Sequence, residues 1–204
     1  FVKLDTNHGV SGWGEIKGVV PAVAKSLAEA MFDLLDGQNP TRIEHLWQML
    51  YRAERNQRGG AFMLHTIAGI DMALWDLAGN AAGIPVYKLM GGCRDRVLAY
   101  ASTYPNMGSP ENYAQHALDC KAQGYRAYKI HPYYYWNPET KEAAPGRPSH
   151  IKWDIEVCRL VREAVGDDMV LMYDPWGTYH IYEEALKVGR ELERLDFHWY
   201  EHPM

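Results

Sequence analysis

The chain has 204 residues, 47% of them hydrophobic, a formal net charge of −5 and a pI near 6.0. That length fits one large domain or two small ones around a real core, and the acidic balance argues against a nucleic-acid surface. No continuous apolar run approaches the roughly 20 residues that span a membrane, and three scattered cysteines, Cys93, Cys120 and Cys158, fit a reducing cytoplasm rather than a disulfide framework or a zinc site.

Phe1 to Thr6 reads as a strand, and Gly9 to Gly14 as a turn leading into Trp13-Gly14-Glu15, together the second half of a hairpin whose first half is absent. Pro21 to Leu35 predicts a helix, with proline in its first turn and Asp36-Gly37 as its stop. Thr41, with Glu44 three residues on, has the form of a capping box for a helix bearing the stripe Ile43, Leu46, Trp47 and Leu50. Gly59-Gly60 opens the longest predicted helix, Ala61 to Ala82, whose alanine and glycine content points to close packing on several sides. Asp71 and Asp76 lie inside it and are expected to cap or pair rather than catalyse. Gly83-Ile84-Pro85 ends it.

After Gly91-Gly92 the rhythm changes. Val97–Thr103, Tyr125–His131, Val170–Asp174 and Phe197–Glu201 read as strands, separated by helices over Pro110–Gln123, Ile151–Val165 and Ile181–Leu195. Strictly alternating strands and helices predict a parallel sheet with right-handed crossovers. The 132–150 segment, rich in Tyr, Pro, Glu and Lys, is an unusually long connection and is expected to form a lid or an interface element. Its block Tyr133-Tyr134-Tyr135-Trp136 fits either role equally.

The chemistry is expected at the carboxyl ends of those strands. Parallel strands joined by helices bring their C-terminal ends to one side, where such folds keep their sites. Asp174 and Glu201 each close a short apolar run, so they become neighbours. Two adjacent acids repel unless a cation lies between them, and a hard divalent ion, Mg²⁺, answers that need. The alternative is a pair of solvated strand ends. Lys129 and His131 are two apart on a strand and so face the same way. The lysine can bind a carboxylate and the histidine can move protons near neutral pH. Trp176 either walls the pocket or packs under a loop. His202 alternates with Glu201 and is expected to face away. His45 and His65 are expected to be structural.

Several segments together resemble the enolase superfamily, specifically its mandelate racemase/muconate lactonizing enzyme-like group: Gly12-Trp13-Gly14-Glu15, Ile70-Asp71-Met72-Ala73-Leu74-Trp75-Asp76-Leu77, Pro85-Val86-Tyr87-Lys88-Leu89-Met90-Gly91-Gly92, Lys129-Ile130-His131, Asp174 and Glu201-His202-Pro203. Glu201 follows Asp174 by 27 positions, similar to the spacing of that family's first two metal ligands. The resemblance runs over essentially the whole chain. It implies an α/β architecture: an N-terminal α+β capping domain, here 1–92 without its first strand, then a modified (β/α)7β TIM-type barrel, of which 93–204 is the first four units. It implies Mg²⁺ held by Asp174, Glu201 and a third acid on the next strand. It also implies abstraction of a proton α to a carboxylate through an enediolate, with Lys129 and His131 as catalytic groups, and Lys129 and Trp176 as substrate contacts. His131 stands where the family commonly has the second lysine of a Lys-x-Lys motif.

The leading expectation is a hydro-lyase that dehydrates an acid sugar. The alternatives are a racemase or epimerase of a 2-hydroxy acid, and a non-catalytic relative. The expected partner is a small carboxylate substrate, with no nucleic acid and no membrane, in a cytoplasmic homo-oligomer. Because a full barrel needs about 250 residues by itself, the protein is expected to continue past Met204.

Overall fold

The computed structural model describes residues 1–53, 60–132, 136–137, 142–143 and 151–204. It divides into two units, Phe1–Asp95 and Arg96–Met204.

In the first unit, β1 (Val2–Asp5) and β2 (Ser11–Gly14) pair antiparallel, Val2 opposite Gly14 and Asp5 opposite Ser11. The two therefore form a hairpin with each other, closed by Thr6, whose hydroxyl and carbonyl both bond within the turn, and by Gly9 at φ 76°. Three helices follow: α1 (Pro21–Leu35), α2 (Ile43–Ala53) and α3 (Ala61–Ala82), then a single turn, α4 (Val86–Leu89). The expected capping box at Thr41 does not form. Thr41 instead donates its N–H and its hydroxyl to Asn39 Oδ1, and the helix begins two residues later.

The glycines of the Gly12-Trp13-Gly14 segment have a steric reason. A Cβ on Gly14 would meet the Gly69 carbonyl oxygen, and one on Gly12 would meet that of Ala73. Both contacts are with the α3 backbone, which has no freedom to step aside. Gly69 returns the favour, because a Cβ there would meet the Ile16 side chain. The strand thus lies directly on the helix. Asp76 fixes the register by accepting the Trp13 N–H at 2.8 Å, and Asn80 Nδ2 donates to the Ser11 carbonyl at 3.0 Å. The acid inside the helix is therefore a strand anchor. By length and composition α3 is the one described helix apolar enough to cross a membrane. Here Met63, Ile67, Ile70 and Leu74 pack with Met31 of α1 and Leu46 and Leu50 of α2 as a core.

The second unit is a parallel sheet in the order β3 (Ala101–Ser102), β4 (Ala127–Ile130), β7 (Val170–Tyr173), β8 (Phe197–Tyr200). The crossovers are α5 (Pro110–Ala122), α6 (Ile151–Val165) and α7 (Tyr182–Arg194). Within the 132–150 segment, the two-residue strands β5 (Trp136–Asn137) and β6 (Glu142–Ala143) pair antiparallel. The expected lid and most of its aromatic block lie outside the described residues.

The first strand is shorter than its sequence predicts. Val97 and Leu98 are 79% and 95% exposed, because β3 is an edge strand whose ladder to β4 begins only at Ala101. They are not part of the core. The core lies under the helices instead, where Tyr113, Tyr128, Val157, Val161, Leu171, Tyr173 and Val188 are fully buried. At the opposite end of the strands from Asp174, Arg162 is buried with no carboxylate partner among the described residues. Its guanidinium donates to the carbonyls of Leu195, Gly166, Met169 and Asp196 at 2.8–3.0 Å, tying the ends of α6 and α7 together.

Gly14→Ala should cost about 1–3 kcal/mol, the usual penalty for forcing atoms into a packed contact. It would be read as a lower urea midpoint at constant slope. An unchanged midpoint would mean that the strand does not rest on the α3 backbone.

Candidate active site

Pleating decides which side chains converge. Lys129 on β4 and His131 just beyond it point to the same face, with 7% and 6% exposure. Asp174 and Glu201 sit one residue past β7 and β8, and each is still tied to the neighbouring strand. The Asp174 N–H donates to the Ile130 carbonyl at 2.9 Å, and the Glu201 N–H to the Tyr173 carbonyl at 2.9 Å. These bonds extend the ladder by one step and set the two carboxylates side by side.

Lys129 lies between them. Its Nζ is 3.1 Å from Asp174 Oδ2 and 2.9 Å from Glu201 Oε2. Burial works against the ammonium charge, but hydrogen bonds and the charges of Glu201 and Asp174 more than offset it. Lys129 is therefore held above the ordinary lysine value. The Tyr100 ring lies under the same ammonium at 5.7 Å and meets Trp199 edge-on.

His131 is fixed from both sides. Its Nδ1 is 2.8 Å from the Thr103 carbonyl, so that nitrogen carries the hydrogen and donates. Nε2 is left facing Asp174 Oδ2 at 3.2 Å. Thr103, itself buried, also accepts the His131 N–H on its hydroxyl at 2.7 Å. Trp176 stands against the imidazole, ring centroids 4.7 Å apart, and its own N–H donates to Asp174 Oδ1 at 3.1 Å. Lys129, His131, Asp174, Glu201 and Trp176 are thus gathered in one place.

His202 differs from its expected orientation. Its Nδ1 is 3.9 Å from Asp174 Oδ1 and 3.8 Å from Glu201 Oε1, so it turns toward the carboxylates. The cause is a left-handed backbone at φ 43°, which breaks the strand alternation. Asp174, Glu201 and His202 offer ligand atoms that all lie within 4.8 Å of one another. Two hard carboxylate oxygens at that separation fit a divalent cation such as Mg²⁺. An apolar groove of about 630 Å³, lined by Phe1, Val19, Ala24, Phe32 and Ile70 among others, lies in the first unit, and none of these site residues lines it.

Comparison with known proteins places the fold. Residues 1–91 match the mandelate racemase/muconate lactonizing enzyme N-terminal domain, and residues 112–204 match the enolase C-terminal domain-like family. The chain belongs to the enolase superfamily, in its mandelate racemase-like group. A D-galactonate dehydratase of Xanthomonas axonopodis pv. citri (strain 306) is 42% identical over 64% of this chain and 34% of its own length. A D-galactonate dehydratase family member of Streptomyces bingchenggensis (strain BCW-1) is 34% identical over 98% of this chain and 53% of its own. The crystal structure of D-glucarate dehydratase from Agrobacterium tumefaciens, complexed with magnesium, superimposes with a TM-score of 0.78. It is 38% identical and covers 99% of this chain and 51% of that one. The chain therefore spans about half the length, or less, of the relatives it matches. Its architecture is the superfamily's N-terminal domain followed by part of a barrel-like parallel sheet.

Lys129→Met should destabilise the fold by about 3 kcal/mol, since it strips a buried carboxylate of its cation. Glu201 is one-third exposed and contributes little to that figure. Chemical denaturation measures it. A loss under about 1 kcal/mol would mean that the pair behaves like a solvated surface bridge.

Proposed function

We propose that these residues form the first half of the active site of a Mg²⁺-dependent acid-sugar dehydratase. The observation that carries this reading is the cluster of buried Lys129, Asp174 and His131 with the partly exposed Glu201, at the carboxyl ends of parallel strands. A core needs no such group: each of these charges is costly to bury and has no packing use. The dehydratases among its relatives support the same reaction class.

Asp174 and Glu201 would hold the ion, with a third acid from the following strand. When bound, Mg²⁺ supplies a Lewis acid against the negative charge that builds on a substrate carboxylate. The ammonium of Lys129 orients that carboxylate and shares its charge. His131 Nε2, held in place by the Thr103 carbonyl behind it, takes the proton from the carbon next to the carboxylate. The C–H electrons move into a carbon–carbon double bond, and the hydroxyl on the adjacent carbon leaves as water with the proton that His131 Nε2 gives back. The enol then becomes a 2-keto-3-deoxy acid. Trp176 covers His131 on the solvent side and closes the pocket around a polyol.

The same reading assigns 1–92 to a capping domain and 93–204 to the opening units of a barrel. It also includes a cytoplasmic location, in keeping with three unpaired cysteines, Cys93, Cys120 and Cys158. We further propose a homo-oligomer.

The test is a panel of acid sugars, galactonate and glucarate included, assayed with Mg²⁺ for release of a 2-keto-3-deoxy acid. His131→Asn should lower kcat by about 10²–10⁴-fold, the usual share of a general base. Asp174→Asn should abolish the Mg²⁺ response. Recovery of epimerised substrate without loss of water would instead identify a racemase. Full activity in His131→Asn would remove the histidine from the mechanism.

A further inference from the structure

Tyr179 is 1% exposed and lies in the turn between β7 and α7, five residues past Asp174. Its hydroxyl donates to Asp154 Oδ2, and the Tyr173 hydroxyl is 3.1 Å away. Asp154 is in the first turn of α6 and is 3% exposed, among Val157, Cys158 and Val161. Packing explains the Tyr179 ring but not its hydroxyl, since a phenylalanine would fill the same space. Burial, with the Asp154 charge beside it, pushes that hydroxyl far up, so it is a donor throughout the working range.

The backbone of the same residue is used as well. The Tyr179 N–H donates to the Pro203 carbonyl at 3.2 Å, and the Gly177 N–H to the His202 carbonyl at 2.5 Å. One turn is therefore bound to the segment after Glu201 by its main chain, and to the helix layer by the Tyr179 phenol. At the front of that turn the Trp176 N–H holds Asp174 Oδ1, with Trp176 in a left-handed conformation at φ 51°. A non-glycine residue at such a φ persists only where its surroundings over-determine it.

We propose that Tyr179, through its hydroxyl bond to Asp154, is a positioning residue that sets the Asp174 carboxylate and the Trp176 ring for the cation and substrate. The inference rests on the reading of Asp174 as a metal ligand. Groups that orient a ligand from behind typically change metal affinity by about 10–100-fold, and Tyr179 acts one turn removed, at the lower end of that range.

The experiment measures Mn²⁺ affinity by the electron spin resonance of the free ion, at a temperature where every variant is folded. Tyr179→Phe should weaken Mn²⁺ binding about 10-fold. Leu192→Ala, a cavity in the same core, should lower Tm but leave the affinity unchanged. Asp174→Asn tests the parent reading: undiminished Mn²⁺ binding there sinks the metal assignment itself. Loss of binding in Asp174→Asn with wild-type affinity in Tyr179→Phe overturns only the positioning role. An equal loss of affinity in Leu192→Ala also overturns it, because general loosening would then suffice. If Tyr179→Phe does not fold, Asp154→Asn replaces the charged acceptor of the same bond by a neutral one and should weaken binding about 3-fold. No change in that variant rejects the proposal.

Discussion

The parallel ladder from β4 through β7 to β8 is the constraint on which the site depends. Its last bonds, Asp174 N–H to Ile130 and Glu201 N–H to Tyr173, leave no choice about where the two carboxylates emerge. Alternation then aims Lys129 and His131 at them. A slip of one residue in any of these strands would turn its charged side chain into the apolar layer beneath the helices. The all-apolar face of Tyr128, Ile130, Leu171 and Tyr173 forbids that slip, because each of these is fully buried.

The electrostatics follow from that placement. Two acids at neighbouring strand ends are unfavourable alone, and the Lys129 ammonium bridges them at 2.9–3.1 Å, offsetting one of the two charges. His131 is held differently, by a carbonyl behind it rather than a carboxylate, which fixes its orientation without adding another negative charge.

The first unit solves a different problem, that of laying a hairpin directly on a helix. Gly12, Gly14 and Gly69 remove the side chains that would separate the two backbones. Asp76 and Asn80 then satisfy β2 main-chain groups, the Trp13 N–H and the Ser11 carbonyl. The second unit uses Arg162 similarly, making four hydrogen bonds to carbonyls just past the ends of α6 and α7. In both units a polar side chain closes main-chain bonding where regular structure stops.

The sequence by itself determined the periodic features. Alternating strands and helices announced the parallel sheet, apolar runs ending in acids marked Asp174 and Glu201, and two-residue spacing joined Lys129 to His131. Period and pattern are local, so they survive without the fold. Tertiary structure decided what has no local signature. Val97 and Leu98 look like strand residues, but a strand needs a neighbour, and the ladder reaches only Ala101 and Ser102. Thr41 looks like a cap, but Asn39 captures its donors. His202 should alternate away from Glu201, yet bonds between two loops hold its backbone left-handed and swing it toward the acids. Thr103 behind His131 and Asp154 behind Tyr179 are ordinary residues in the sequence. Their importance comes from partners 28 and 25 positions away, which only the packing of distant elements could supply.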